Sequence, residues 1–257
     1  MIDINKIYNE DCLVTMGNIP DNAIDLTVTS PPYDNLRTYN GYSFNFEAIA
    51  KELFRVTKMG GVVVWIVGDA TIKGSETGTS FKQALFFKSC GFNLHDTMIW
   101  NKGTFTAVGS LKTRYAPVFE YMFVLTKGKL KTFNPIKDRE NKSFGRKHHG
   151  TIRQRDGSVK PLSNTGRLIP KLGQRFNIWD MPSEKSNSKR LHPAMFPEPM
   201  AEDHIISWSN EGDIVYDPFM GSGTTAIAAV RNKRLYIGSE TSKEYCEIAR
   251  NRIRREA

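Results

Sequence analysis

A glycine-rich turn near the carboxyl end of the chain has the composition of a ligand-binding site. Residues 213–216 are predicted as a strand, and the segment 217–225, with sequence DPFMGSGTT, follows directly and opens an alanine-rich helix. Gly221 and Gly223 allow a tight turn and a close approach of the backbone to a ligand at the carboxyl end of a strand. The turn is not a P-loop, because no lysine follows the glycines.

Two carboxylates flank this turn, and they restrict the ligand. Asp217 opens the turn, and Glu240 follows the next predicted strand, 235–238. A loose GxGxxA match at 221–226 is weak evidence for a dinucleotide, and Asp217 argues against one because a carboxylate repels a pyrophosphate. A nucleoside joined to a cationic amino acid, as in S-adenosylmethionine, suits Asp217 through its ammonium group and Glu240 through its ribose hydroxyls. The alternative is a structural turn that begins with a capping aspartate.

A second candidate site is the segment 29–33, with sequence TSPPY, which ends the predicted strand 24–29. The two prolines cannot continue a ladder of strand hydrogen bonds, so the carbonyls of Ser30 and Pro31 are left to point outward. With the Ser30 hydroxyl they form a group of acceptors beside the Tyr33 ring. That group suits an exocyclic amino group on a stacked base. The alternative is a proline-capped strand end over a packed tyrosine.

The elements that position both motifs follow from the pattern of apolar residues. Predicted strands are 7–9, 24–29, 62–67, 97–100, 118–125, 213–216 and 235–238, and predicted helices are 46–56, 81–89, 197–208, 224–232 and 242–255. The alternation predicts an α/β fold whose seven-stranded sheet is mainly parallel and covered on both faces. The fourth and fifth strands have no helix between them, which predicts one antiparallel edge hairpin. Both motifs then lie at carboxyl ends of strands, where open α/β sheets bind ligands.

Charge is concentrated in one part of the chain. The 257 residues carry a formal net charge of +9, but residues 101–190 hold 20 Lys and Arg against 6 Asp and Glu, a net charge of +14. The remainder holds 16 against 21, a net charge of −5. Such asymmetry favours a polyanionic partner, and nucleic acid is preferred over a basic insertion that only aids solubility.

Composition excludes several other classes of protein. With 39% apolar and 25% charged residues, the chain is neither disordered nor collagen-like. No apolar run approaches the length of a membrane span, and no secretory signal is visible, so we expect a cytoplasmic protein without a membrane partner. Three scattered cysteines predict no disulfide framework, and His148 and His149 lack the neighbours of a metal site, so no metal is expected.

Together the two motifs resemble those of the DNA amino-methyltransferases, which methylate the exocyclic N4 of cytosine or N6 of adenine. Residues 29–33 resemble their catalytic motif and residues 217–223 their cofactor motif. The catalytic motif precedes the basic region and the cofactor motif follows it, which is the permuted order called the β group. The segments 9–12 (NEDC) and 189–198 (KRLHPAMFPE) resemble the turn near the cofactor adenine and the lining of the methionine pocket.

The resemblance implies a fold, a cofactor and a set of site residues. The fold is a Rossmann-like methyltransferase sheet, and the cofactor is S-adenosylmethionine. The implied catalytic residues are Ser30, Pro31, Pro32 and Tyr33. The implied cofactor-binding residues are Asp11, Cys12, His192, Pro193, Phe196, Asp217, Pro218, Phe219, Gly221, Ser222, Gly223, Thr224, Thr225 and Glu240. From the basic region we expect Arg114, Arg146 and Lys147 to contact DNA.

The resemblance also implies a mechanism, in which the target base is flipped out of double-stranded DNA and the methyl group is transferred directly and in line. No Pro-Cys dipeptide occurs, which argues against C5-cytosine chemistry with its cysteine nucleophile. A serine at the first motif position, Ser30, favours N4 of cytosine, with N6 of adenine as the alternative. A less favoured alternative is an inactive nucleic-acid-binding protein that keeps the fold.

The domain organisation predicted on this basis has three parts. Residues 1–127 form the catalytic half of the methyltransferase domain, 128–188 a basic target-recognition insertion, and 189–257 the half that binds S-adenosylmethionine. A cognate restriction endonuclease and a homodimer are left open as further partners.

Overall fold

The computed structural model of the chain describes residues 2–32, 44–104, 111–182 and 196–256. The chain divides into two compact units. One unit comprises Met1–Asn134 and Asn177–Ala257, and the other comprises Pro135–Phe176.

The larger unit is built around an eight-stranded sheet. In chain order the strands of the whole chain are β1 (Lys6–Tyr8), β2 (Ile24–Thr29), β3 (Thr57–Val67), β4 (Thr71–Ile72), β5 (Ser75–Glu76), β6 (Asn93–Asn101), β7 (Phe119–Thr126), β8 (Arg139–Glu140), β9 (Thr151–Arg153), β10 (Val159–Pro161), β11 (Leu172–Gly173), β12 (Ile178–Asp180), β13 (Ile214–Asp217) and β14 (Leu235–Ser239). The helices are α1 (Cys12–Asn18), α2 (Phe46–Val56), α3 (Thr79–Ser89), α4 (Glu198–Trp208), α5 (Thr224–Arg231) and α6 (Lys243–Ile253).

The strand order in the large sheet is β1-β14-β13-β2-β3-β7-β6-β12. Within this sheet β7 runs antiparallel to both of its neighbours, and the other strand pairs are parallel. The predicted fold class and the antiparallel pairing of the fourth and fifth predicted strands are therefore confirmed. The expectations of seven strands and of a hairpin at the sheet edge are corrected, because β12 adds an eighth strand beyond β6.

Helices cover both faces of this sheet and bury two separate apolar clusters. Side chains of α1, α2 and α3, among them Met16, Leu53 and Phe87, pack on one face. Side chains of α4, α5 and α6, among them Ile205 and Ala249, pack on the other. The helix α1 was not predicted, since it is only seven residues long.

The central strand β3 shows why the sequence folds as a covered sheet. Val62, Val64 and Ile66 point into the cluster under α4–α6. The alternate residues Val63, Trp65 and Val67 point into the cluster under α1–α3. A strand buried on both faces must be apolar at every position rather than at alternate ones. The run VVVWIV meets that condition, and all six of its residues are buried.

The smaller unit, Pro135–Phe176, is a nested antiparallel ribbon. Strands β8 and β11 pair at its base, and β9 and β10 pair at its tip. Asp138 and Arg175 form an ion pair at the base, with oxygen and nitrogen 2.5 Å apart. The unit contains 11 Lys and Arg against 3 Asp and Glu, and all six residues of the tip strands are exposed.

Membrane-spanning helices and clustered metal ligands are both absent from the described residues. No helix among them is long and apolar enough to cross a membrane. Within the same residues no group of three or more His, Cys, Asp or Glu side chains is arranged to hold a metal ion.

Candidate functional site

The carboxylate of Asp217 joins the two motifs that the sequence separates. Strands β2 and β13 are neighbours and parallel, so Thr29 and Asp217 end at the same edge of the sheet. The Thr29 hydroxyl donates to Asp217 Oδ1 at 2.7 Å, and the backbone N–H of Phe219 donates to the same oxygen at 2.9 Å. The Thr225 hydroxyl, in the first turn of α5, donates to Oδ2 at 2.8 Å.

This carboxylate is buried among neutral donors. Asp217 is 2% exposed, and none of the ion pairs formed by the described residues involves it. Burial raises the pKa of Asp217 to about 6, against the lowering effect of its three hydrogen bonds. At neutral pH the group is mainly ionised, and a cationic ligand would supply the positive charge that its surroundings lack.

Glu240 directly follows β14 and contacts the glycine-rich turn. Its Oε2 accepts from the backbone N–H of Gly221 at 2.9 Å, and its Oε1 accepts from the N–H of Ser242 at 2.8 Å. Burial raises the pKa of Glu240. Each carboxylate oxygen has a second lone pair, so the side chain retains acceptor capacity for ligand hydroxyls.

The turn itself is held by the helix that follows β14. Gly223 has a φ of +91°, and a Cβ atom there would lie 2.9 Å from Cβ of Ala249 in α6. A larger residue at 223 would therefore strain the backbone and separate the turn from the helix. Arg252, also in α6, donates to the Ser222 carbonyl at 2.6 Å and to its hydroxyl at 3.0 Å.

The N-terminal segment 9–12 borders Glu240. The Asn9 side chain donates to the carbonyls of Glu240 and Thr241, each at 2.9 Å. Asp11 caps α1 by accepting from the N–H of Leu13 at 2.7 Å, and Cys12 is buried in the first turn of that helix. Residues 9–12 therefore lie beside Glu240 in the fold.

Most of the remaining predicted cofactor-binding residues belong to the turn itself. Pro218, Gly221, Ser222, Gly223, Thr224 and Thr225 are all buried. Phe219 is half-buried, and its ring meets those of Phe44 and Trp65 with centroids 5.7 and 6.3 Å apart. Phe196, 8% exposed, belongs to the apolar cluster under α4–α6. His192 and Pro193 lie outside the described residues.

The catalytic motif continues from β2 at the same edge. Ser30 and Pro32 are half-buried and Pro31 is buried, and in the described part of the chain no pairing of β2 extends past Thr29. The chain leaves the sheet here, as two prolines require. Tyr33 lies outside the described residues.

The three residues expected to meet DNA belong to both units. Arg114 donates to the Thr71 hydroxyl at 3.0 Å and to the Gly74 carbonyl at 2.7 Å, so it contacts the small hairpin of β4 and β5. Arg146 and Lys147 are exposed in the smaller unit, and Lys147 pairs with Leu168 across the ribbon.

Thr29 was not singled out from the sequence as a site residue. Most buried side-chain hydroxyls have a hydrogen-bond partner, so the two threonines of the strand sequence IDLTVT were the available signal. The partner, however, lies 188 residues away, and no local pattern identifies it.

Comparisons with known proteins find a family model and relatives that match most of this chain. The family model of N6/N4 enzymes, described as DNA methylase, matches residues 24–251. The orphan methyltransferase M.BamHII of Bacillus amyloliquefaciens is 59% identical over 244 residues, covering 92% of this chain and 91% of its own. The type II methyltransferase M.BglII of Bacillus subtilis is 30% identical over 264 residues, covering 96% of this chain and 68% of its own.

A solved structure extends the comparison. The structure of TTHA0409 of Thermus thermophilus, complexed with S-adenosyl-L-methionine, is 26% identical, with a TM-score of 0.67, and the match covers 98% of this chain and 93% of that one. The family match spans most of the chain and includes both motifs that meet at Asp217. The chain therefore belongs to the N6/N4 DNA methylase family.

Proposed function

We propose that this protein is a site-specific DNA methyltransferase that transfers a methyl group from S-adenosylmethionine to the exocyclic N4 of cytosine in double-stranded DNA. The observation that carries the proposal is the hydrogen bond between Thr29 and Asp217, 2.7 Å long, which brings the catalytic and cofactor motifs to one edge of the sheet. A methyl donor and an acceptor amino group must meet within reacting distance, and neighbouring parallel strands supply that arrangement.

The cofactor side of the site fits S-adenosylmethionine. Bound there, this cofactor supplies an electrophilic methyl group on a sulfonium sulfur. Asp217 binds the ammonium of its methionine part, which compensates a buried negative charge, and Glu240 accepts from its ribose hydroxyls. Asp11 and Cys12 border the adenine. The methionine pocket is lined by Phe196, His192 and Pro193, and the wall of the site is formed by residues 218–225.

The acceptor side of the site is formed by the segment after β2. The carbonyl of Pro31 and the hydroxyl of Ser30 accept hydrogen bonds from the target amino group, which draws its nitrogen toward a tetrahedral form with an available lone pair. Tyr33 stacks on the flipped base, and Pro32 fixes the course of the backbone. Transfer is direct, so positioning and electrostatics account for the rate acceleration.

The target base follows from the first residue of the motif. Ser30 favours cytosine N4, because N6-adenine enzymes more often carry Asp or Asn there. N6 of adenine is the alternative, since either amino group can donate to the Ser30 hydroxyl and the Pro31 carbonyl. The less favoured candidate is a nucleic-acid-binding protein without activity, although neither motif lacks an expected residue.

DNA is the macromolecular partner, and residues 128–188, with Arg146 and Lys147, form the region proposed to recognise the target. Arg114 is proposed as a further DNA contact from the larger unit. The 59% identical relative is an orphan methyltransferase, and this favours action without a cognate restriction endonuclease. Homodimer formation is the remaining partner hypothesis, and the mass of the purified protein measured by light scattering tests it.

Methylation of a mixed-sequence plasmid tests the whole proposal. The plasmid is incubated with the protein and S-adenosylmethionine, and modified positions are mapped by base identity. We expect 4-methylcytosine within one short recurring sequence. Detection of 6-methyladenine instead would select the alternative target, and cofactor binding without any methylated base would favour the inactive protein.

A further inference from the structure

Thr29 connects the two motifs of the site. Its hydroxyl contacts the cofactor motif, and its backbone begins the catalytic motif. Thr29 is 0% exposed and is the last residue of β2. Its hydroxyl donates to Asp217 Oδ1 at 2.7 Å, and Ser30 is the next residue in the chain. Any displacement of Thr29 relative to Asp217 therefore displaces the catalytic motif relative to the cofactor motif.

Thr225 holds the other oxygen of the same carboxylate. Its hydroxyl lies 2.8 Å from Asp217 Oδ2 and 3.2 Å from the carbonyl of Val28, the residue before Thr29. The contact with Val28 joins the start of α5 to the end of β2, and the contact with Asp217 joins it to the end of β13. The carboxylate of Asp217 thus lies between two threonine hydroxyls. Thr29 belongs to β2, and Thr225 contacts that strand.

We propose that Thr29 is a positioning residue. Through its hydrogen bond to Asp217, it aligns the acceptor carbonyls of the catalytic motif with the cofactor motif. This inference rests on the proposed function, since it concerns the alignment of donor and acceptor in the same site. Thr225 completes the arrangement from the opposite oxygen of the carboxylate.

The two prolines explain why a small movement of Thr29 would reach the reacting atoms. Pro31 and Pro32 have fixed φ angles, so the segment after Ser30 has few torsions in which a displacement could be absorbed. In-line transfer is sensitive to misalignment, and a shift of about 1 Å can cost on the order of a hundredfold in rate. The hydroxyl of Thr29 therefore acts on turnover without touching the substrate.

The neighbouring strand position supplies a matched control. Thr27 lies two residues earlier in β2 and is also 0% exposed, but its hydroxyl has no hydrogen-bond partner among the described residues. Valine has nearly the same shape as threonine and lacks only the hydroxyl. The substitutions Thr29→Val and Thr27→Val thus make the same chemical change in the same strand, and the first alone removes a contact with Asp217.

The first measurement separates binding from turnover. At pH 8 we expect Thr29→Val to lower kcat by about ten- to a hundredfold while the Kd for S-adenosylmethionine stays close to that of the wild type. Thr27→Val should keep the wild-type kcat. Thr29→Ser, which retains the hydroxyl, should restore most of the lost turnover and shows that loss of folding is not the cause.

The second measurement follows the Asp217 carboxyl directly in the ligand-free protein, by its carbon chemical shift as a function of pH. Removing a donor to the ionised form raises the pKa of a carboxyl group, so Thr29→Val should move the titration midpoint of Asp217 upward by about one pH unit. Glu240 is the charged group that also raises this pKa electrostatically, and the nearby Tyr216 is too weakly acidic to titrate in the same range. Thr27→Val should leave the midpoint unchanged.

Both results are required. If Thr29→Val matches Thr27→Val in kcat, or leaves the midpoint of Asp217 where the wild type has it, the positioning role is overturned. A wild-type protein that methylates no DNA would instead overturn the proposed function, so the two failures are distinguishable.

Discussion

Arg252 donates two hydrogen bonds to a single residue of the glycine-rich turn, to the carbonyl of Ser222 at 2.6 Å and to its hydroxyl at 3.0 Å. The same guanidinium forms an ion pair with Glu198 at the start of α4, and Arg231 binds Glu198 at 2.7 Å. The C-terminal helix α6 is thereby tied to the loop between β13 and α5.

Replacing this arginine should loosen the turn. For Arg252→Met we expect a loss of about 1.5–3 kcal/mol in loop stability, because methionine keeps the apolar stem but loses the charged donors. The Kd for S-adenosylmethionine, measured by calorimetry, should rise accordingly. Arg254→Met is the control, since Arg254 is exposed at the end of the same helix. Equal Kd values for the two variants would show that Arg252 does not order the turn.

The carboxylate of Asp217 should dominate cofactor affinity. We expect Asp217→Ala to weaken binding of S-adenosylmethionine by about ten- to a hundredfold, the equivalent of one charge-assisted hydrogen bond of about 1.5–3 kcal/mol. Equilibrium dialysis with labelled cofactor measures this loss. An unchanged Kd in a folded variant would remove Asp217 from the cofactor site.

The raised pKa of Asp217 also predicts a pH dependence. Its pKa of about 6 in the folded protein exceeds the ordinary value of 3.8, so protonation favours the folded, cofactor-free state. The contribution of Asp217 to stability is therefore greatest below pH 3.8 and falls as the pH rises through about 6. A bound ammonium group reverses this trend, because it pairs with the ionised form.

Thermal unfolding measures that reversal. We expect S-adenosylmethionine to raise the Tm more at pH 8 than at pH 5, and Asp217→Asn to abolish the difference between the two values. A stabilisation that is the same at both pH values in the wild type would contradict pairing between the ammonium group and Asp217.

Tyr33 is expected to act on the base and not on the cofactor. Tyr33→Ala should leave the Kd for S-adenosylmethionine near the wild-type value and reduce kcat, because base stacking on an aromatic ring contributes roughly 1–3 kcal/mol. Tyr33→Phe keeps the ring and should retain activity. If the alanine variant keeps turnover within about twofold of wild type, Tyr33 only packs against its neighbours.

The basic ribbon should make DNA binding depend strongly on salt. Each phosphate that the protein neutralises contributes roughly −0.9 to the slope of log affinity against log salt concentration. Reversing the charges of Arg146 and Lys147 should therefore flatten the slope by about two such contributions if both side chains meet phosphates. Titrations of one duplex at three salt concentrations give the slope, and cofactor binding should not change.

A second double variant is the control for the change in net charge. Lys82 and Lys88 are exposed on α3, outside the ribbon, and their reversal changes the net charge by the same amount. We expect this variant to keep a slope near that of the wild type. Equal slopes for both double variants would remove Arg146 and Lys147 from the DNA interface. Arg114 contacts the β4–β5 hairpin, so we expect Arg114→Ala to affect turnover or sequence preference more than the salt slope.

Local patterns were sufficient for the longer elements and insufficient for the short ones, which are α1, β12 and the two- and three-residue strands β4, β5, β8, β9, β10 and β11. The predicted helix 46–56 agrees with α2, because its apolar residues recur at helical spacing and Asn45 caps it. The strand β12 was not predicted, because its three residues include one buried side chain, that of Trp179, and are too few to show an alternation of apolar and polar residues. Trp179 is fixed by its stacking on His204, with centroids 4.5 Å apart, and that contact depends on the tertiary fold.

The sequence by itself determined which residues form the two motifs and that both follow strands, because turn chemistry and strand periodicity extend over only a few neighbouring residues. Only the tertiary structure decided that these motifs share a carboxylate. Thr29 and Asp217 are 188 residues apart, and their hydrogen bond exists because β2 and β13 pair side by side in the sheet. Strand order depends on packing over the whole chain, so no segment near either residue contains that information.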